Sequence, residues 1–331
     1  MKKLFLILLT VCTSVLSAQP YEEIIYGDIP QSDLAMTAWP YDSEAEAVVL
    51  ADQGLMRVDS DNQGRYESML RRHKRIKILT PVGVEKYGDA TLYYYHKDNL
   101  ESITQLKAQS ISPDGKIEEV PEKEMFREKI NENWTKITFS FPNVQVGSVV
   151  EYRYHHYSYL ITTPDEWAFR DEIPVRSSYY HFACKAPITY SFLMLGAEYM
   201  NKTQQADGTT VFSLGNMTVR ANNGSFWMQN GDAVHLEPFM TTPEDYLIKI
   251  RFQASEYVTY TGTKVKVYDT WEATAKDLLN DDHLGLFFTK ERNYKKIVEA
   301  ASNAIPATLP ASEKLNLIAD FITTQDSLEW R

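Results

Sequence analysis

Cys184 is the residue of this sequence best suited to act as a nucleophile, and His181 is the imidazole nearest to it along the chain. A cysteine nucleophile needs an imidazole to take its proton and a third group to orient that imidazole. In a strand, residues three apart lie on opposite faces, so His181 could not serve Cys184. The sequence therefore predicts a small buried cysteine and no catalytic residue in this chain.

Two acidic segments resemble metal-binding loops. Asp59–Gly64 has oxygen ligands at positions one and three and glycine at position six, as calcium loops have. However, Gln63 stands at position five and Leu70 at position twelve, so we expect a polar hairpin turn. Asp281-Asp282-His283 is more typical of a solvated loop, since adjacent helical residues point in different directions. With no H-E-x-x-H, CxxC or Gly-rich phosphate motif, the sequence predicts no metal site and no cofactor.

A basic run, Arg71–Arg75, lies within a predicted strand. We interpret it as a solvated strand face, or as a sheet edge that its charge protects from aggregation. A site for a polyanion is the alternative. His155 and His156 are adjacent in another predicted strand, so they lie on opposite faces and cannot form one site. We expect His156 to be a packed imidazole.

Aromatic residues are abundant, with 21 Tyr, 14 Phe and 6 Trp. Trp134, Trp167 and Trp227 are the candidate binding residues, because aromatic rings can stack on the flat apolar faces of a sugar or contact a peptide. The competing interpretation is that these rings pack in a core or between sheets.

The composition limits the class of partner. The chain has 331 residues, 45 acidic and 34 basic side chains, and a formal net charge of −11. Binding to a phosphate backbone favours a basic face, so nucleic acid is not an expected partner. The length is typical of about two domains and allows a sizeable core without a disulfide framework.

The N-terminus has the features of a secretory signal peptide. Two lysines precede the apolar run Leu4–Val11, and small residues end it at Ala18. We expect cleavage near Ala18, with lipoprotein anchoring at Cys12 as the less favoured alternative. Removing residues 1–18 takes away two lysines and changes the net charge from −11 to −13. No later apolar run approaches ~20 residues, so the mature chain is expected to lack a transmembrane segment and to be exported to the periplasm or the cell exterior.

Hydrophobic periodicity changes once along the chain. From about Glu44 to Tyr268 apolar residues recur at every second position, as in Ile137, Phe139 and Phe141. Asp-Gly and Asn-Gly pairs separate these runs and favour hairpins. The pattern predicts a mainly β fold in residues 19–268, with antiparallel sheets forming a sandwich or a supersandwich-like pair. In residues 269–331 the spacing becomes helical, which predicts α-helices at the C-terminus.

Four blocks of sequence resemble an uncharacterised extracytoplasmic bacterial domain family, over about Glu44 to Tyr260. The matching residues are Arg75–Thr80 with Gly83, Glu85 and Tyr87; Ala108 with Ser112–Lys116; Phe139–Val144 followed by Gly147–Tyr152; and Trp167–Asp171 with Pro174 and Val175. Members of that family usually stand N-terminal to a transglutaminase-like cysteine domain. Leu315 to Trp330 looks like the first helix of such a domain. The resemblance places the Cys-His-Asp catalytic set beyond this sequence, so no residue here takes a catalytic role from it.

The resemblance implies an exported, non-catalytic accessory or binding domain associated with a transglutaminase-like amidase or protease. On this reading the chain alone is not an enzyme. Its partners would be a protein, peptide or glycan ligand, and a C-terminal transglutaminase-like domain if the natural chain is longer. Two alternatives remain: a stand-alone carbohydrate-binding β-sandwich module, and a glycoside-active enzyme with two carboxylates ~5–10 Å apart in a cleft.

Overall fold

A computed structural model describes residues 23–196, 200–206, 208–214, 216–222, 224–234, 247–259, 261–267 and 271–280, with short pieces between 303 and 318. The strands within this part of the chain are β1 (Ala47–Ser60), β2 (Tyr66–Ile78), β3 (Asp89–Tyr95), β4 (Glu101–Ile111), β5 (Ile117–Glu119), β6 (Phe126–Lys129), β7 (Trp134–Ser140), β8 (Val149–Ser158), β9 (Trp167–Ala168), β10 (Val175–Cys184), β11 (Ile188–Leu195), β12 (Asn201–Gln204), β13 (Thr210–Leu214), β14 (Met217–Asn222), β15 (Ser225–Gly231), β16 (Lys249–Val258) and β17 (Lys264–Lys266). The helices are α1 (Gln31–Leu34), α2 (Pro81–Tyr87) and α3 (Trp271–Asn280).

The predicted mainly β fold is confirmed. Ten strands form one large sheet in the order β12-β13-β14-β15-β10-β1-β2-β8-β4-β5. The neighbours in this sheet are antiparallel except β1 and β10, which run parallel, with Gln53 beside Tyr179. The sequence does not predict this parallel pair, because the alternation of apolar residues is the same whichever way the neighbouring strand runs.

Two smaller sheets cover one face of the large sheet, which we call the core face. One is the four-stranded sheet β11-β16-β17 with β9 joined to β16, and the other is the three-stranded sheet β3-β7-β6. The ring of Tyr180 in β10 lies 5.8 Å from that of Phe252 in β16. The ring of Phe139 in β7 lies 6.1 Å from that of Tyr152 in β8. Alternate residues of the large sheet therefore fill one continuous core between layers.

Residues 23–45 cross the opposite face of the large sheet, which we call the open face, and we call this segment the strap. The Ile24 N–H donates to the Gln53 side-chain oxygen at 3.0 Å. Further along, Lys77 Nζ donates to the Leu34 carbonyl at 2.8 Å. Trp39 is buried with Val48 and Leu50 in a second, smaller core beneath the strap. The strap is thus held by polar contacts and by apolar burial.

The hairpin predictions are confirmed in part. Asp61 accepts hydrogen bonds from the backbone N–H groups of Gln63 and Arg65, both at 2.8 Å, in the tight turn between β1 and β2. Gly115 and Gly224 have the positive φ values, +87° and +74°, that hairpin turns require. The turn expected at Asn230-Gly231 is wrong, because β15 continues through Gly231.

The chain divides into two compact units, residues 1–265 and 266–331. In the second unit, α3 spans Trp271–Asn280, and residues 313–318 are helical. The other predicted C-terminal helical residues, Asp281–His283 and the predicted signal peptide lie outside the described residues. In the part of the chain that is described, no helix is both long and apolar enough to cross a bilayer.

Candidate functional site

Two ion pairs lie on the core face, where β1 and β2 meet, and in each a buried side chain, Asp52 or Lys74, bonds a half-buried partner. Arg72 donates two hydrogen bonds to Asp52, at 2.9 and 2.6 Å, in a bidentate pair. Lys74 Nζ lies 2.6 Å from the Asp171 carboxylate. Burial alone would lower the pKa of Lys74, but the Asp171 charge outweighs it and raises that pKa. Asp52, Arg72 and Asp171 border a cavity of about 170 Å³ that Ser178 and Phe169 also line.

Trp167 lies in the same region and is almost fully buried, with 1% of its surface exposed. Its ring stacks on Tyr180 with centroids 5.1 Å apart, and the Arg72 guanidinium lies 4.8 Å from its centre. The indole N–H donates to Ser178 Oγ at 3.0 Å. Trp167 therefore has a ring face and its N–H already engaged inside the core.

Glu151 is the centre of a second buried cluster, under the strap on the open face. Its carboxylate has no exposed surface and lies 2.8 Å from His73 Nε2. It accepts hydrogen bonds from Arg75 at 3.1 and 2.6 Å, and from Gln109 at 2.6 Å. The Gly27 N–H of the strap donates to the same carboxylate at 2.8 Å. Burial alone would raise the pKa of Glu151, but the His73 hydrogen bond and the Arg75 charge outweigh it and lower that pKa.

The prediction that Arg71–Arg75 forms a solvated strand face or a protected edge is wrong. The run lies in β2, which pairs with β1 on one side and β8 on the other. His73, Lys74 and Arg75 are all buried. Successive residues alternate between the two faces, so each face receives basic side chains together with the acidic groups that neutralise them. Apart from Arg71, whose pair with Glu23 is exposed, the run forms internal ion pairs.

His156 is held between two carboxylates at the edge of the core face. Its Nδ1 lies 2.5 Å from Asp165, and its Nε2 lies 3.3 Å from Glu101 without hydrogen-bond geometry. Burial works against charging the ring, but the Asp165 hydrogen bond and the charges of Asp165 and Glu101 outweigh it and raise the pKa of His156 to about 10. The imidazole is a packed cation, as the sequence predicts for a packed His156, and His155 lies on the other face.

Cys184 lines an aromatic cleft between the large sheet and the four-stranded sheet. The cleft has a volume of about 630 Å³, and its lining includes Phe182, Tyr190, Phe192, Phe226 and Phe252. The Cys184 thiol donates weak hydrogen bonds to the carbonyls of Ala186 at 3.3 Å and Ile188 at 3.5 Å. Burial raises the pKa of this thiol. The thiol is therefore held in its protonated, weakly nucleophilic form.

The other two candidate tryptophans lie apart from Trp167. Trp134 is in β7 of the three-stranded sheet, 42% exposed, with its ring edge-on to Tyr95 at 5.5 Å. Trp227 is in β15 of the large sheet, half-buried, between Tyr179 of β10 and Arg220 of β14. The three tryptophans belong to three different sheets. Their predicted role in binding stays a prediction, and Trp227 has the surroundings best suited to a ligand.

The geometry defines a two-layer β protein whose buried polar groups bind one another across strands. Among the described residues, no cluster of His, Cys, Asp and Glu has the arrangement of a metal site. Sequence reasoning missed the Glu151 and Asp52 pairs, although a lone carboxylate within an otherwise apolar strand is a signal for a buried partner.

Residues 65–219 match the model of the domain family DUF3857, a domain of unknown function. This match confirms, over that segment, the resemblance to an uncharacterised domain family. Among curated proteins, none matches the sequence.

Solved structures resemble this chain at low sequence identity, and one of them has a TM-score above 0.5 among the three described here. A Parabacteroides distasonis protein described as a candidate protease is 11% identical with a TM-score of 0.53, over 84% of this chain and 50% of that one. The chain thus spans half the length of that protein. A candidate nutrient-binding protein from Legionella pneumophila is 9% identical over 84% of this chain and 80% of its own, with a TM-score of 0.29. Yeast LTA4 hydrolase is 7% identical over 78% and 36%, also with a TM-score of 0.29. TM-scores of 0.29 are too low to indicate a shared fold, whereas the similarity to the Parabacteroides distasonis protein supports the fold.

Proposed function

We propose that this chain is an exported, non-catalytic binding domain that positions a substrate or partner for a transglutaminase-like cysteine enzyme. The observation that carries the proposal is the environment of Cys184. Its thiol points to two carbonyl oxygens, and burial raises its pKa. A cysteine nucleophile requires the opposite, a lowered pKa beside an imidazole or a helix N-terminus.

The buried ion pairs support the same proposal. A catalytic acid or base must reach a substrate, whereas Glu151, Asp52 and Asp171 are each bonded to basic groups of the same sheet. These pairs fix the strap, β1 and β2 in place. The similarity to half of a longer candidate protease is consistent with a domain that works beside a separate catalytic domain.

Assays of the purified chain test this proposal. We expect no hydrolysis of peptide anilides and no transfer of glutamine acyl groups to hydroxylamine, with the Cys184→Ala chain giving the same background as the wild type. Activity that Cys184→Ala abolishes would overturn the proposal.

The association with a cysteine enzyme has its own test, in the reading frame after Arg331. We expect that frame to encode a helix beginning with a cysteine, followed by a histidine and an aspartate of a transglutaminase-like domain. A reading frame that ends without them would refute the association.

A further inference from the structure

The open face of the large sheet carries a row of basic and aromatic side chains beside the strap. Strand register places Arg220, Trp227 and Tyr179 next to one another across β14, β15 and β10. In β2 and β8, Arg71 lies opposite His155. We call the following residues the open-face band: Arg220, Trp227, Tyr179, Arg71, His155 and Arg153.

Of the three arginines in the band, Arg71 is paired with Glu23, whereas Arg153 and Arg220 have no carboxylate partner among the described residues. Arg153 is exposed, and its guanidinium lies 4.8 Å from the centre of the Tyr26 ring. The contact of Arg220 is with Thr218 Oγ1, at 3.4 Å. Burial is the main cause of the lowered pKa of His155, and the charges of Arg71 and Arg153 lower that pKa further.

This group of basic side chains contrasts with the formal net charge of the whole chain, which is −11. Like charges on neighbouring strands destabilise a sheet unless something neutralises them. An anionic ligand would supply the missing negative charge.

We propose that the open-face band binds a carboxylate-bearing oligosaccharide, an inference that rests on the proposed binding role of this domain. Trp227 and Tyr179 are adjacent on neighbouring strands and can stack on the apolar faces of sugar rings. Arginines bind carboxylates in a planar, bidentate geometry. From β15 to β2 there are three strand spacings, about 14 Å, so one extended oligosaccharide reaches both Trp227 and Arg71.

Arg71 already receives a carboxylate from the chain itself. Its guanidinium lies 2.8 Å from Glu23 at the start of the strap, and both side chains are substantially exposed, at 40% and 57%. An exposed pair of this kind contributes little to stability. A ligand carboxylate can therefore replace Glu23 on Arg71 without disrupting the sheet.

Isothermal titration of the purified chain with oligogalacturonate tests the proposal. We expect binding that weakens as salt rises, and that is lost when the same oligomer is methyl-esterified, because esterification removes the charge and keeps the sugar faces. Failure to bind, or equal binding of both oligomers, would overturn the proposal. Single-stranded DNA and poly-glutamate serve as rival anions, and binding either as tightly as oligogalacturonate would overturn it as well.

Single substitutions locate the site. Trp227→Ala and Arg153→Gln should each weaken binding at least fivefold, whereas Glu23→Gln should strengthen it several-fold by freeing Arg71. Lys136→Gln is the matched control, since Lys136 is an exposed cation paired with Glu128 on the three-stranded sheet. The affinity of the Lys136→Gln chain for oligogalacturonate should equal that of the wild type. Unchanged thermal midpoints confirm that the variants fold, and unchanged affinity in Trp227→Ala and Arg153→Gln would refute the site.

The same titration separates this inference from the proposed function. The wild-type chain and the Cys184→Ala chain are titrated in parallel. The oligosaccharide is then recovered and its chain length is measured. Binding without cleavage agrees with both proposals. No binding in a chain that also lacks peptidase and acyl-transfer activity refutes the oligosaccharide site alone.

Discussion

The ring of Trp167 fills the space beside Gly54 in which any other residue would place its side chain. A Cβ at position 54 would lie 2.4 Å from the indole, closer than non-bonded atoms approach. Arg72 on the neighbouring strand lies over the same ring, so the indole cannot shift without disturbing the Arg72–Asp52 pair. A glycine in β1 is thus required by the tryptophan that packs on it.

We expect Gly54→Ala to destabilise the protein by about 1–3 kcal/mol, the usual cost of overpacking a core. Urea unfolding of both chains measures the difference. Gly64→Ala is the control, because a Cβ there meets nothing within 4 Å and its only cost is the positive φ of +77°. A Gly54→Ala chain no less stable than the control would contradict the packing described here.

Glu151→Ala should cost about 3–5 kcal/mol, because it leaves Arg75 and His73 buried without their carboxylate. It should also loosen the strap, since Glu151 accepts the Gly27 N–H. Chymotrypsin cleavage after Tyr26, followed by mass spectrometry, measures that loosening. Glu128→Ala removes an exposed ion pair and should cost less than about 1 kcal/mol, with no change in cleavage.

The pH dependence of stability should carry the signature of His156. Asp165 and Glu101 raise the pKa of His156 from an ordinary value of 6.5 to about 10 in the folded chain. Its contribution to stability is therefore complete below about pH 6.5 and is lost as the pH rises through 10. We expect the free energy of unfolding to fall between pH 7 and 10 more steeply in the wild type than in His156→Gln. Parallel curves for the two chains would show that the imidazole is not charged in the fold.

Cys184 should react slowly with alkylating reagents. In a Cys12→Ser chain it is the only thiol, so iodoacetamide labelling followed by mass spectrometry reports on it alone. We expect labelling at pH 7.5 to be at least tenfold slower in the folded chain than in urea, because burial raises the thiol pKa. Labelling faster in the folded state would indicate an activated thiolate and would count against the proposed function.

Local sequence patterns predict much of this fold. Alternating apolar residues indicate β7, β8, β11 and β16, and the Asp-Gly pair at Gly115 indicates the hairpin between β4 and β5. These features depend on residues close together in the chain, where strand and turn preferences act directly.

Long-range features are the ones that the sequence does not predict. The basic run of β2 looks solvated because its partners, Asp52, Glu151 and Asp171, come from other elements of the chain. Trp167 looks like a surface platform until Gly54 and Tyr180 are placed around it. The open-face band likewise exists only after β15, β10, β1, β2 and β8 are brought side by side.

The parallel pair in the centre of the large sheet has a consequence for how the polypeptide acquires its structure. Val49 pairs with Val175, so one side of β1 stays unmatched until β10 is available. Pairing β1 with β10 closes the whole length of chain between Val49 and Val175 into a loop. Closing so long a loop is entropically costly and slows folding. Meanwhile the incomplete sheet exposes an apolar strand to other molecules, and we expect the nascent chain to depend on chaperones until β10 docks.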